Sequence, residues 1–308
     1  MALEQACIEI MPKPWGSTEL LPWSPANDAG VPIGELWFQR RTPDAPEPAL
    51  LLKLLFTQEV LSIQVHPGDD DAKAMGLPHG KSEAWYVLSA AADAMVGVGL
   101  KSVLTPTQLR AAIANGSIAD LVAWRKAVKG DVIVVPAGTI HAIGPGLVLA
   151  EIQQRSDTTF RLFDHGRARE LHVEQGVSVA DAGPAERQAP AQRLSDVRSV
   201  LAVNPHFILE RLDLPAGSIW ELEATHESWL AAIAGNAAIG ELEVGIGQGC
   251  FIEDETVRVA AGRDGFSCLL AYDAATPDRD IIHRVDTDGA SAPPAFVRSP
   301  VPFAQVRS

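Results

Sequence analysis

Gln64 and His66 stand two apart in the run LSIQVHPGDD (61–70), which Pro67 and Gly68 bring to an end. Successive strand side chains point to opposite faces, so a strand here puts Ser62, Gln64 and His66 on one face and Ile63 and Val65 on the other. Glu83 opens the next strand-like run, GKSEAWYVL (80–88), and shares a face with Trp85 and Val87. Further on, GDVIVVPAGTIHAIG (130–144) carries Gly130, Pro136, Gly138 and His141 in the pattern G-x5-P-x-G-x2-H. A Pro-x-Gly turn reverses the chain and sends His141 back toward the interior. A lone histidine is more often a core or surface residue than a ligand, but this spacing specifies turn and ligand together. Two imidazoles, a carboxylate and an amide oxygen make a shell for a divalent metal. Zinc takes histidine nitrogen and carboxylate oxygen, and its catalytic sites keep one position open.

Such a shell needs strands to hold it. Short apolar runs supply them: ALLLKLLF (49–56), LSIQV (61–65), AWYVLSA (84–90), AMVGVGL (94–100), DVIVVPA (131–137) and GLVLAEIQQ (146–154). Each ends in Gly, Pro, Ser or Asp, or close to one, which is strand-and-turn punctuation. Many short strands indicate a sandwich or barrel rather than alternating strands and helices. One stretch differs. TPTQLRAAIANGS (105–117) begins with Thr105 as N-cap, Pro106 at the first helical position and Gln108 as capping-box partner. The following SIADLVAWRKA (117–127) repeats the pattern with Ser117 and Asp120, so a pair of short helices is expected at about 105–127. A polar, proline-containing stretch at 184–193 is the linker candidate. Beyond it, strand-like runs return at 207–214, 218–224, 229–235, 249–252 and 266–274. The expected organisation is a metal-binding domain over 1–183 and a smaller β domain over 194–308, with an extended tail over the last twenty residues.

Composition narrows the partners. A formal net charge of −14 argues against a nucleic-acid binder, which needs a concentrated basic surface, but leaves room for a small anion. Three cysteines, Cys7, Cys250 and Cys268, form neither a disulfide framework nor a metal knuckle. The amino terminus has no secretory pattern, and no apolar run reaches the roughly 18 residues of a membrane span. A cytoplasmic protein without membrane attachment, monomeric or homodimeric, is expected.

The G-x5-P-x-G-x2-H element resembles the second motif of the cupins, small jelly-roll β-barrels that hold metals. LSIQVHPGDDDA (61–72), GKSEAWYVL (80–88) and VPAGTIHAIGPGLVLAEIQQRSDTTFRLFDHGR (135–167) resemble the type I mannose-6-phosphate isomerases in their shorter bacterial form. KPWGSTEL (13–20) and the helix pair followed by KGD fit the same pattern. The resemblance spans about residues 10–180 and fades after 190. It implies an all-β-dominated cupin with a short helical insertion, followed by a second cupin-like domain that has lost its metal site. Counted from Gly249, the ligand position of that second domain falls on Ala260.

The resemblance also implies one zinc ion per chain on Gln64, His66, Glu83 and His141, the four residues already singled out. It implies interconversion of mannose 6-phosphate and fructose 6-phosphate through an enediol. Arg161, in SDTTFRLFD, matches the family's active-site arginine, expected to stabilise the enediolate or hold the phosphate. Lys81 is expected to contact substrate oxygens or phosphate, and Asp157 to orient Arg161 or take part in proton transfer. Two departures stand out. Longer relatives carry a histidine immediately before the lysine, where this chain has Gly80 and places His79 one earlier. Glu83 also lies 17 residues beyond His66, and the intervening insert is expected to form a lid or rim, with Asp69, Asp70 and Asp71 in a solvated turn rather than a second metal site. The rival readings are a cupin metalloenzyme of another class, such as an iron dioxygenase, and a non-enzymatic sugar-phosphate-binding cupin.

Overall fold

Alternation along the apolar runs decides which side chains face which layer. The structure, a computed structural model, describes residues 2–25, 30–42 and 45–285. In chain order the first part comprises β1 (Ala2–Gln5), β2 (Cys7–Ser17), β3 (Ile33–Gln39), β4 (Leu50–Thr57), β5 (Ile63–Val65), α1 (Asp69–Ala74), β6 (Glu83–Ala90), β7 (Met95–Leu100), α2 (Pro106–Asn115), α3 (Ile118–Leu121), β8 (Val122–Lys126), β9 (Val132–Val135), β10 (His141–Ile143), β11 (Leu147–Gln154), β12 (Phe160–Phe163) and α4 (Val173–Val179). Two sheets form from it: a six-stranded one in the order β2-β3-β4-β11-β6-β9, and a five-stranded one in the order β12-β5-β10-β7-β8.

Between these sheets lies a barrel interior in which Trp15, Leu55, Trp85, Val87, Ile133 and Leu149 meet Val96 and Ile143. Ile63 and Val65 of β5 turn the other way, onto Leu109 and Ile113 of α2 and Val177 of α4. Gln64 therefore faces inward, as the alternation requires. On β4, Leu50, Leu52, Leu54 and Phe56 pack outward, as do Ala150 and Ile152 on β11. Lys53 and Glu151 consequently sit on the inward face of strands that are apolar on both sides, directly opposite one another in the β4–β11 register.

The helix expected at 105–117 forms as α2, with the Thr105–Gln108 capping box complete. The second expected helix does not extend to 127. It stops after the single turn of α3, and Val122–Lys126 becomes β8, paired with β7. The β-branched Val122 and the aromatic Trp124 suit a pleated surface, and the open edge of β7 satisfies their backbone better than an isolated helical turn would. Strands β2 and β3 went unread in the sequence, and Pro12 and Pro14 explain the silence of β2. Proline breaks the strand pattern and is tolerated because β2 is an edge strand.

The second part comprises β13 (Gln192–Arg193), β14 (Arg198–Val203), β15 (Ile208–Leu214), β16 (Ile219–Ala224), β17 (Ser228–Ile239), β18 (Leu242–Gly245), β19 (Gly249–Glu253), β20 (Glu255–Tyr272) and β21 (Ile282–Arg284). These build a ten-stranded sheet along β1-β19-β17-β20-β15-β14-β13, with β16 on β20, β18 on β17 and β21 on β16. The amino-terminal β1 thus belongs to the carboxy-terminal sheet. Inside the second sheet Arg198 and Glu210 form a buried ion pair at 2.5 Å, and Tyr272 donates to the same carboxylate at 2.6 Å. Ala260 lies in β20 opposite Ile219 and offers no ligand. The two parts share a continuous core: Leu36, Leu52, Leu54, Tyr86 and Ile152 pack with Leu209, Trp229, Phe251 and Leu269. No helix among the described residues is long and apolar enough to cross a membrane. The tail expected over the last twenty residues lies outside the described residues.

Candidate metal centre

Four short segments converge at one end of the first barrel. Gln64 and His141 are opposite each other where β5 pairs with β10. His66 lies just past β5, and its carbonyl accepts the Gly138 N–H at 2.8 Å, which ties it to the Pro136–Gly138 turn. Gly138 has φ +85°, and a Cβ there would lie 2.8 Å from Asp181 Oδ2, so the turn requires glycine. Glu83 begins β6 on the opposing sheet and is 1% exposed.

The nitrogens are set by their backbone partners. His66 Nδ1 donates to the Thr158 carbonyl at 2.9 Å and His141 Nδ1 to the Thr139 carbonyl at 2.8 Å. A carbonyl only accepts, so each Nδ1 carries the proton and each Nε2 presents a lone pair. Those lone pairs face Glu83: His66 Nε2 is 3.4 Å from Oε2 and His141 Nε2 is 3.4 Å from Oε1. Neither His66 Nε2 nor Glu83 Oε2 has an aligned hydrogen-bond partner, although both are buried. Burial, reinforced by Lys81, lowers His66 to about 3, and burial lowers His141 as well. Burial would raise Glu83, but the adjacent Lys81 ammonium outweighs it and holds the carboxyl well below its usual range. The donor set is therefore two neutral imidazoles and one carboxylate, all deprotonated toward a common point, as a divalent cation requires. Gln64 lies against this triad, with Nε2 3.2 Å from His141 Nε2 and Oε1 accepting from Ser62 Oγ at 3.0 Å. The two ends of an amide are isosteric. With Oε1 turned inward, Nε2 would instead donate to Ser62 Oγ.

Lys81 Nζ lies 3.1 Å from Glu83 Oε2, and the carboxylate pulls it toward the centre as the sequence suggested. Asp157 has a different partner from the one expected. It is 65% exposed and its Oδ1 lies 4.0 Å from Lys53 Nζ, while Arg161 Nη1 donates to the Glu170 carbonyl at 2.8 Å. Arg161 is nonetheless opposite Gln64 in the β12–β5 register, and its buried Nε has no partner.

Sequence reasoning missed Lys53, Glu151 and Glu35. Lys53 is 2% exposed, with Nζ 3.6 Å from Glu151 and 3.9 Å from Glu35, over the Trp37 ring at 4.4 Å. Trp37 Nε1 donates to Glu35 at 2.6 Å. Burial, followed by repulsion from Glu83, pushes the Glu151 carboxyl up to about 7. The available signal was a single charge inside each of the apolar runs ALLLKLLF and GLVLAEIQQ.

The rim carries Asp69, Asp70 and Asp71 exposed, as expected, on the short helix α1 rather than in a simple turn. Asp69 starts α1, and its Oδ1 accepts from Gly80 N at 2.7 Å and Gln154 Nε2 at 2.9 Å. This also explains the missing histidine. A Cβ on Gly80 would lie 2.6 Å from Gly68 C, 2.7 Å from Asp69 N and 2.8 Å from Pro67 O, all backbone, so no side chain fits. Gly80→Ala should therefore cost roughly 1–3 kcal/mol, the usual cost of overpacking. It should also lower turnover, because Lys81 N donates to Pro67 O at 2.9 Å and moves with that backbone. Thermal melts and steady-state rates check both.

No protein-family model matches the chain. It is 34% identical over 237 residues to a mannose-6-phosphate isomerase of Streptococcus mutans, covering 71% of this chain and 72% of that one. A mannose-6-phosphate isomerase of Bacillus subtilis is 36% identical over 163 residues, covering 49% of this chain and 51% of the relative. In structure, the chain is similar to the crystal structure of the mannose 6-phosphate isomerase from Bacillus subtilis, with a TM-score of 0.75 at 21% identity over 88% of this chain and 100% of that one. The apo form of the Salmonella typhimurium enzyme gives 0.70 at 16% identity, over 89% and 100%. These structural likenesses speak for the fold, a cupin barrel with a second β unit packed on it. With the identity to the Streptococcus mutans enzyme extending over more than two thirds of both chains, this chain belongs to the mannose-6-phosphate isomerase family.

Proposed function

We propose that the chain is a zinc-dependent aldose–ketose isomerase that interconverts mannose 6-phosphate and fructose 6-phosphate through an enediol, acting in the cytoplasm. The observation that carries this reading is the buried triad of His66, Glu83 and His141, whose Nε2 and carboxylate oxygen atoms converge, with the Lys81 ammonium 3.1 Å from Glu83 Oε2. The names of the relatives supply the substrate pair.

His66, Glu83 and His141 would hold the ion, with Gln64 as a neutral fourth donor. A zinc ion held there would supply positive charge to stabilise the negative charge that develops on the substrate as the proton leaves. The remaining work falls to the chain. Lys81, held on Glu83, stays an ammonium and donates to a substrate oxygen. A proton on the carbon next to a carbonyl is only weakly acidic, so a base must lie within hydrogen-bond reach. The buried Glu151–Lys53 pair suits that exchange, since it joins a carboxylate and an ammonium on the inward face, and exposed Asp157 holds Lys53 from the solvent side. Arg161, with an unpartnered Nε on the strand beside Gln64, meets the anionic end of the sugar phosphate.

The test is turnover of mannose 6-phosphate by the purified, zinc-loaded chain, followed by NMR of both sugar phosphates. Approach to the same mixture from either substrate is expected. A zinc-replete sample that isomerises no hexose phosphate overturns the reading.

A further inference from the structure

One side chain of the carboxy-terminal part bonds the backbone at the start of β4, the strand that carries Lys53. Glu227 immediately precedes β17, and its carboxylate accepts the Ala49 N–H at 2.6 Å and the Leu50 N–H at 2.8 Å. Glu227 is itself anchored: its carbonyl accepts from Asp273 N at 3.1 Å, and Ser228 is paired with both Ile252 and Tyr272. Bonds between a carboxylate and backbone N–H groups are short and strong, so this is a firm staple between two distant stretches of chain.

What the staple holds matters to the site. Leu50 is the first residue of β4, whose register sets Lys53 against Glu151. The Ala49 carbonyl accepts from Arg155 N at 2.8 Å, and Leu50 is paired with Gln154 at the end of β11. The segment that follows carries Asp157, 4.0 Å from Lys53, and Thr158, whose carbonyl fixes the His66 tautomer at 2.9 Å. Gln154 in turn accepts from Ser82 N at 2.9 Å, next to Glu83. The path from the second sheet to His66 and Glu83 is a short series of hydrogen bonds, through backbone and the Gln154 side chain.

We infer that Glu227 is a positioning residue, through which the carboxy-terminal sheet sets His66 and Lys53 for binding metal and for catalysis. The inference rests on the isomerase reading above. It gives the second sheet a task, although among the described residues the metal-ligand cluster lies wholly in the first part.

The test compares the full chain with Glu227→Ala and Glu227→Gln, below the melting temperature of each. Zinc affinity is measured by competition with a chromophoric chelator, and kcat and KM with mannose 6-phosphate. Groups that orient metal ligands typically contribute 10–100-fold to affinity, so one layer further out the expected loss in Glu227→Ala is about 3- to 10-fold. A comparable fall in kcat with little change in KM is expected. Glu227→Gln keeps one acceptor oxygen and should fall between, and it carries the test if the alanine variant does not fold. A folded variant with a lower melting temperature but wild-type zinc affinity and kcat would overturn the inference, since that marks a purely structural staple. Failure of the isomerase reading is distinguishable, because then the wild-type chain itself does not turn over and the zinc comparison still decides the positioning role.

Discussion

His141→Ala is expected to abolish metal binding and to lower turnover by roughly three orders of magnitude or more. His141 is fully buried at the start of β10, its Nδ1 is committed to Thr139 O and its Nε2 faces Glu83 at 3.4 Å. Without it the triad is reduced to one imidazole and one carboxylate, too few to retain a divalent ion at ordinary concentrations. The loss of several kcal/mol of charge stabilisation in the transition state sets the size of the rate effect. Elemental analysis of the purified variant should find well below one zinc per chain, with a far-ultraviolet spectrum like that of the wild type. Full metal content with unchanged turnover would mean that the pocket is not the site of chemistry.

Lys53→Met is expected to be the most damaging single change outside the triad, through stability as well as rate. Methionine fills nearly the same volume, but the substitution removes the cation shared by the buried carboxylates of Glu35 and Glu151, leaving Glu35 with Lys13 at 3.5 Å. Breaking a buried ion pair from one side typically costs about 3–5 kcal/mol. The cost should depend on pH. The Glu151 carboxyl, pushed up by burial and Glu83 to about 7, binds its proton more tightly folded than unfolded, so its contribution to stability falls as pH rises through the window from 4.5 to 7. Lys53 is one of the groups restraining that upward shift. Removing it extends the window upward, so the variant's deficit is smaller at pH 5 than at pH 8. Urea melts of the metal-free chain at the two pH values measure it. A deficit that is equal at both, or larger at pH 5, contradicts this assignment of charges. Turnover should fall by roughly 10²–10⁴-fold, the usual range for loss of an acid–base group.

The ligand face was legible because it obeys a period of two. Gln64 alternates with Ile63 and Val65, Glu83 with Ala84, and the Pro-x-Gly turn announces His141. The inner charges were not legible in the same way. Lys53 and Glu151 meet only once β4 pairs with β11, and a single lysine in ALLLKLLF carries no sign of which strand will oppose it. The surroundings of Asp157 were not legible for a similar reason: strand pairing takes Arg161 to Gln64 and leaves Asp157 beside Lys53. The short second helix gave way to β8 because an unfilled strand edge outweighs local capping signals. The shared core between the two parts escaped notice because β4 is apolar on both faces, and sequence alone does not say what covers the outer one.

Zinc titration of the metal-stripped chain is the most direct test of the central claim. The stripped chain should be inactive on mannose 6-phosphate, and activity should rise in proportion to added zinc and break at one ion per chain. Full turnover before any metal is added, or uptake of one zinc with no gain in turnover, would contradict it.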